Sequence, residues 1–244
     1  MKINIETMQR LSKIKNSAYD AIKIEFLYHS NKLEGSTFTK ESLIELLEEK
    51  KVRGEYYLDD IIETKNSLEL FDSVIDTLKD PFAKYLLWHW HRILKKDSVD
   101  EEIGNSGRWK RYGNRIADVD IKLSEPEWVD SRMFNLLEDW KESEKGIYEI
   151  ADFHQKFEHI HPFQDGNGRI GRFIILRQCI ENDVDLIAID DVYNEEYRKG
   201  LYEAQKNNNL QPLIDVFEKC QQRFDQKLVG FKDTIEQVAE EMER

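Results

Sequence analysis

Residues 157–172 read Phe157-Glu158-His159-Ile160-His161-Pro162-Phe163-Gln164-Asp165-Gly166-Asn167-Gly168-Arg169-Ile170-Gly171-Arg172. Pro162 disfavours the α region for the residue before it, so the order predicts a helix that ends at His161. The imidazole then sits at a helix terminus, free to face a cleft. Gly166-Asn167-Gly168 is a tight turn, and the apolar run Ile170, Phe173, Ile174, Ile175 and Leu176 predicts a second helix from about Gly168. Backbone N–H groups of such a turn, added to the positive end of a helix, make an anion site.

Arg169 and Arg172 stand three apart in the first turn of that second helix. Two guanidinium groups beside a helix N-terminus are unfavourable unless an anion joins them. A polyphosphate would do so, through bidentate contacts that lysine does not offer. Asp165 sets one carboxylate at the edge of the turn, suited to a single-point hold on Mg²⁺ whose other ligands are phosphate oxygens and water. A base, a magnesium carboxylate, a phosphate cradle and two arginines fall within residues 161–172. Together they point to transfer of a phosphate-containing group, with positioning and charge neutralisation supplying most of the rate.

Helical periodicity dominates on either side. Met8, Leu11, Ile14, Ala18, Ile22 and Phe26 predict a first helix of about 25 residues that stops near Gly35. Shorter helices follow through Leu43–Leu47, Leu58–Phe71 and Phe82–Ile93. Residues 97–125 lose the period, and Gly104, Gly107 and Gly113 with Ile116, Val119 and Ile121 predict a loop and a small hairpin. Pro126 opens a helix carrying Trp128, Phe134, Leu137 and Trp140. Helices resume over 147–160, 168–181, 195–205 and 210–224, and the tail is amphipathic through Leu228, Phe231, Ile235, Val238 and Met242. The expected fold is mainly α, a helical bundle with a small β-hairpin. Residues 1–50 form N-terminal helices, 51–224 the core and 225–244 a C-terminal helix.

The 244 residues are 40% apolar and 35% charged, which excludes a disordered chain. A net charge of −13 predicts repulsion from nucleic acid and from anionic membranes. Against that field, Arg108, Lys110 and Arg111 read as a solvated hairpin rather than a nucleic-acid patch. No apolar run approaches the roughly 20 residues of a membrane span, and the opening residues lack a signal-peptide core. With Cys179 and Cys220 far apart, the expectation is a cytoplasmic protein with reduced thiols.

Residues 161–172 match every specified position of the Fic signature, His-x-Phe-x-Asp/Glu-Gly-Asn-Gly-Arg-x-x-Arg. The chain resembles that family over residues 25–220, including His91-Arg92 before Leu94, Ser106-Gly107-Arg108-Trp109, Trp140 and Tyr197. The resemblance implies a mostly helical enzyme that moves AMP from ATP to a Ser, Thr or Tyr hydroxyl and releases pyrophosphate. It makes His161 the general base, for which an ordinary histidine pKa is suited. Asp165 would hold Mg²⁺ bridging the α- and β-phosphates, and Gly166, Asn167 and Gly168 would form the anion hole. Arg169 and Arg172 would neutralise the β- and γ-phosphates, Gly171 would belong to the same nucleotide site, and Phe163 would anchor the loop. Tyr197 would line the adenine pocket, and Arg115, Ile116 and Ala117 would belong to a flap that aligns the target by strand-type pairing.

Ser30-Asn31-Lys32-Leu33-Glu34-Gly35 matches the family's inhibitory pattern, Ser/Thr-x-x-x-Glu-Gly/Asn. The resemblance implies that Glu34 pairs with Arg172 where the γ-phosphate belongs. Expected partners are a target protein's hydroxyl side chain, the chain itself as a target, and a second copy in a homodimer. Other readings keep the scaffold and change the chemistry: another nucleotide, phosphocholine, or removal of AMP with Glu34 positioning water. A non-catalytic nucleotide-responsive module is the alternative of a different class. A zinc site on His154, Glu158 and His161, at helical spacing, ranks last.

Overall fold

The computed structural model describes residues 1–115 and 120–242. Among them lie twelve α-helices: α1 (Ile5–Leu11), α2 (Ala18–Leu33), α3 (Lys40–Glu49), α4 (Leu58–Asp76), α5 (Lys84–Leu94), α6 (Val99–Glu102), α7 (Pro126–Glu142), α8 (Ile147–Ile160), α9 (Asn167–Glu181), α10 (Asn194–Asn207), α11 (Gln211–Lys227) and α12 (Lys232–Met242). Short 3-10 turns at Asp191–Tyr193 and Val229–Phe231 lead into α10 and α12. None of these helices is long and apolar enough to cross a membrane.

α9 is the axis of the bundle. From Arg169 to Ile180 all of its residues are buried, the apolar ones in the core and Arg169, Arg172 and Arg177 against acceptors on neighbouring elements. Elements α1, α2, α4, α5 and α8 pack around it. Phe173 joins Phe26 of α2 and Phe71 of α4, with ring centroids 5.0 and 6.4 Å away. Arg177, wholly buried, donates to the carbonyls of Thr77, Leu78 and Asp80. It thereby ties α9 to the turn that follows α4. α8 is opened by Glu149, whose side chain accepts from the Gly146 N–H at 2.8 Å, and it buries Ile150, Phe153, Phe157 and Ile160. Ile235 and Val238 of α12 are buried, and that helix lies against α1.

Three expectations change. The first long helix is two helices, because Asn16 adopts a left-handed conformation (φ 55°) and Ser17 caps α2 through the Tyr19 N–H. Trp128 and Phe134 point outward, while Val129, Met133, Leu136, Leu137 and Trp140 form the buried stripe of α7. The hairpin is not seen: residues 108–115 and 120–125 carry no strand, and Ile116 and Ala117 lie outside the described residues.

Candidate functional site

The loop between α8 and α9 is held by its own side chains. α8 ends with His161 in the left-handed region (φ 51°, ψ 62°), so Pro162 ends the helix by a sharper turn than extended backbone would give. Asn167 then locks the loop: its Oδ1 accepts from the Phe163 N–H at 2.8 Å, and its Nδ2 donates to the Phe163 carbonyl at 2.9 Å. The Asn167 side chain is therefore structural. Gly166 caps α9 at φ 78°, where a Cβ would meet Leu94 at 3.1 Å, so glycine is required there twice over.

Phe163 is buried and stacks on His91 with centroids 4.0 Å apart. His91 fastens two loops together. The Gly107 N–H donates to its Nδ1 at 2.9 Å, so Nε2–H donates to the Asp165 carbonyl at 3.0 Å. Burial drives the His91 pKa down to about 4, so the ring is neutral. The preceding loop lies across the motif: the Lys110 N–H donates to the Pro162 carbonyl at 2.8 Å and Asn114 Nδ2 to the Phe163 carbonyl at 3.0 Å. Arg115 follows directly, exposed and irregular.

His161 lines a cavity of about 220 Å³ together with Glu34, Glu158, Gly168, Arg172 and Tyr197. Its Nδ1 lies 3.3 Å from the Glu158 carbonyl. Nδ1 therefore carries the hydrogen and Nε2 keeps its lone pair. Burial, reinforced by the nearby Lys110 charge, pushes its pKa down to about 4. This corrects the expectation of an ordinary histidine: the ring is neutral well below pH 7.

Both motif arginines are buried and both meet carboxylates. Arg172 donates through Nε to Ser30 Oγ at 2.9 Å, and through one terminal nitrogen to the Ser30 carbonyl at 3.0 Å and to Glu34 Oε1 at 2.6 Å. Arg169 meets Glu63 of α4 at 2.8 and 3.2 Å. Glu34 also presses on the start of α9, where a Cβ on Gly168 would stand 2.5 Å from its Oε1. Burial alone would raise the Glu34 pKa, but Arg172 and Arg169 outweigh it and hold the carboxylate below its usual range. The positive end of α9 is thus filled by a protein anion.

Asp165 pairs with Lys95, a side chain 2% exposed that also meets Glu63 and Asp100 at 3.2 Å each. Burial works against the Asp165 charge, yet Lys95 and Arg169 bring its pKa down to about 2. On the far wall, Tyr197 is buried with its hydroxyl 2.7 Å from His154 Nε2. Gly171 faces inward: a Cβ there would stand 2.6 Å from Glu158 Oε1 and 3.0 Å from the His154 ring. Glu63 and Lys95 carried no site signal in the sequence, and His91, Lys110 and Glu158 were marked there only by the family resemblance, a basic hairpin and a low-ranked zinc spacing. Each is distant from the motif or hidden in a helical pattern, and the structure brings them to the site.

The Fic/DOC family matches residues 81–179. A probable protein adenylyltransferase of Aquifex aeolicus is 34% identical over 109 residues, 40% of this chain and 33% of that protein. Protein adenylyltransferase Fic of Nematostella vectensis is 25% identical over 218 residues, 82% of this chain and 47% of that one. The chain thus spans less than half the length of these curated relatives. A crystal structure of a Fic domain containing signaling protein from Bacteroides thetaiotaomicron superposes with a TM-score of 0.74 at 22% identity, covering 89% of this chain and 92% of the other. The Fic/DOC match over residues 81–179 contains the signature at His161–Arg172 and most of the buried α9, and the Bacteroides structure shares the fold.

Proposed function

We propose that the chain is a protein adenylyltransferase, moving AMP from ATP to a hydroxyl side chain of a target protein or of itself, and held at rest by Glu34 on Arg172. The observation that carries this reading is the Arg172–Glu34 pair at 2.6 Å, 138 residues apart in sequence, at the N-terminus of α9. A site built for an anion is filled by a carboxylate that a phosphate can replace. The relatives' names supply the group transferred.

In this reading the target hydroxyl gives its proton to Nε2 of His161, the nitrogen left free by the Nδ1–H bond to the Glu158 carbonyl. The hydroxyl oxygen bonds to the α-phosphorus, and the bond from phosphorus to the bridging oxygen breaks. Pyrophosphate leaves with that electron pair. A ring neutral down to about pH 4 has Nε2 unprotonated at any physiological pH, as a weaker base than a free imidazole. Backbone N–H groups of Gly166, Asn167 and Gly168 would hold phosphate oxygens, and Arg169 and Arg172 would turn from carboxylates to the β- and γ-phosphates. Tyr197 would bound the base, and the segment from Arg115 through Ile116 and Ala117 would align the target.

Asp165 fits Mg²⁺: it is a single carboxylate whose side chain is 58% exposed, beside the proposed phosphate site. Bound there, the ion would neutralise charge on phosphate oxygens. Residues 1–50 then act as the inhibitory unit, 51–224 as the catalytic core and 225–244 as a C-terminal support, in a cytoplasmic protein.

Intact-mass analysis with ATP and Mg²⁺ tests the reading. Glu34→Gly should gain the mass of AMP on itself, the unaltered chain much less, and Glu34→Gly with His161→Ala none. Equal labelling of all three, or none with any target supplied, would end it.

A further inference from the structure

Glu158 is a carboxyl group buried to 6% exposure, and none of the contacts above uses its side chain. One turn of α8 before His161, it reaches between the ring and α9. Its Oε2 lies 3.8 Å from His161 Nδ1. Its Oε1 has no hydrogen-bond partner among the described residues and faces Gly171, the one residue type that leaves it room. An acid placed there at the cost of an unmade hydrogen bond asks for a reason. Its neighbours account for the placement only in part. His154 spends Nε2 on the Tyr197 hydroxyl, and Arg172 spends Nε and one terminal nitrogen on Ser30 and Glu34.

We propose that Glu158 is the positioning residue for His161: its carboxylate stands behind Nδ1, on the side of the ring away from Nε2, and balances the imidazolium formed when Nε2 takes the target's proton. This rests on reading His161 as the base. Before the step, Glu158 gives its own proton to solvent. During it, Nδ1–H turns from the Glu158 backbone carbonyl at 3.3 Å to Oε2 of the same residue at 3.8 Å, a short movement within one side chain's reach. No proton is lost from the imidazole; the carboxylate supplies charge and orientation, as a buried acid behind a catalytic histidine does in hydrolytic triads.

The surroundings make this carboxyl sensitive to pH. Burial pushes its pKa up to about 8; Arg172 on α9 opposes that and Glu34 at the end of α2 adds to it. The other titratable groups around it are His154 on α8, His161 just past the end of α8 and Tyr197 on α10, with Lys110 in the crossing loop acting on His161. His154 and His161 are neutral at pH 7, and burial raises the Tyr197 pKa. Glu158 is therefore the acid of the site that ionises near neutrality. Removal of Glu34 takes away a like charge and moves that ionisation to lower pH.

Two measurements test the proposal. In the Glu34→Gly chain, kcat should rise with pH as Glu158 ionises. Glu158→Gln should lower kcat at least about tenfold, with KM for ATP within about twofold, and should flatten the rise. Glu158→Asp should keep a pH-dependent limb. A Glu158→Gln variant that matches Glu34→Gly at every pH, or that loses the same fraction of kcat at every pH, overturns the proposal.

The second measurement uses the unaltered chain and needs no activity. The His161 ring ¹⁵N shifts, followed from pH 6 to 9, should inflect where Glu158 ionises, and Glu158→Gln or Glu158→Asp should remove or move that inflection. Ring shifts that stay flat across this range overturn the proposal even if Glu34→Gly is active. An inflection in a chain with no transfer activity overturns instead the reading of His161 as the base, and the proposal with it.

Discussion

Replacing Glu34 with alanine removes one charge-assisted hydrogen bond to a guanidinium 3% exposed, at 2.6 Å. Such a bond is worth about 1.5–3 kcal/mol. The side chain also occupies the space in front of Gly168, so its loss opens the phosphate position sterically as well as electrostatically. If ATP has to displace this bond to align, the variant should transfer AMP about ten to 150 times faster than the unaltered chain. Stability should move the other way. Arg172 keeps both acceptors on Ser30, so the cost should stay near the value of the bond, a fall in Tm of about 3–10 °C. ATP should then return more of the lost stability to Glu34→Ala than it adds to the unaltered chain, because only the variant presents a free guanidinium. The assay pairs transfer rates with thermal unfolding, with and without ATP and Mg²⁺. A variant that melts lower but labels no faster, with ATP giving both chains the same rise in Tm, would refute the reasoning.

The site supports three more predictions. His161→Ala should abolish transfer in a Glu34→Ala background while leaving ATP affinity, measured by calorimetry, within about threefold. Between pH 4.5 and 6.5 the unfolded chain binds a proton at each of His91, His154 and His161 that the folded chain does not, while the folded chain binds one at Glu158 that the unfolded chain does not. These four groups give a net of two protons and a fall in stability on acidification of about 3 kcal/mol per pH unit, read from urea midpoints; His29, whose pKa burial also lowers, adds to the fall, and Glu158→Gln should steepen it. Lys95→Met strands the carboxylates of Glu63, Asp100 and Asp165 and should cost about 3–5 kcal/mol in denaturant unfolding, part of it recovered by millimolar Mg²⁺.

Local chemistry explains what could be read from the sequence. α8 ends at Ile160 and α9 begins at Asn167 because Pro162 and the Gly-Asn-Gly turn act within a few residues. The same holds for Pro126 at the start of α7. The break between α1 and α2 was readable too, since Asn16-Ser17 is a turn residue followed by a cap, but six apolar residues kept helical spacing across it. Trp128 failed for the opposite reason: aromatic periodicity says that a stripe exists, not which residues of a wide stripe are covered. Lys95 and Glu63 were out of reach altogether. Their pairing with Asp165 and Arg169 depends on how α4 and α5 cross α9, and nothing near either residue in sequence encodes that crossing.

Gly168 puts the inhibitory contact to a test that needs no nucleotide. Placed in the first turn of a helix with an ordinary backbone, glycine to alanine should stabilise by up to about 1 kcal/mol through propensity alone. With Glu34 present, however, the new Cβ would stand 2.5 Å from its Oε1 and 3.1 Å from a terminal nitrogen of Arg172, so the pair must part or shift. Gly168→Ala should therefore destabilise the unaltered chain and be neutral or stabilising once Glu34 is alanine. The sign reversal, taken as a double-mutant cycle in denaturant unfolding, should exceed about 1 kcal/mol. A coupling within about 0.3 kcal/mol of zero would mean that Glu34 does not rest against the start of α9 in solution, and the proposed inhibition would lose its physical basis.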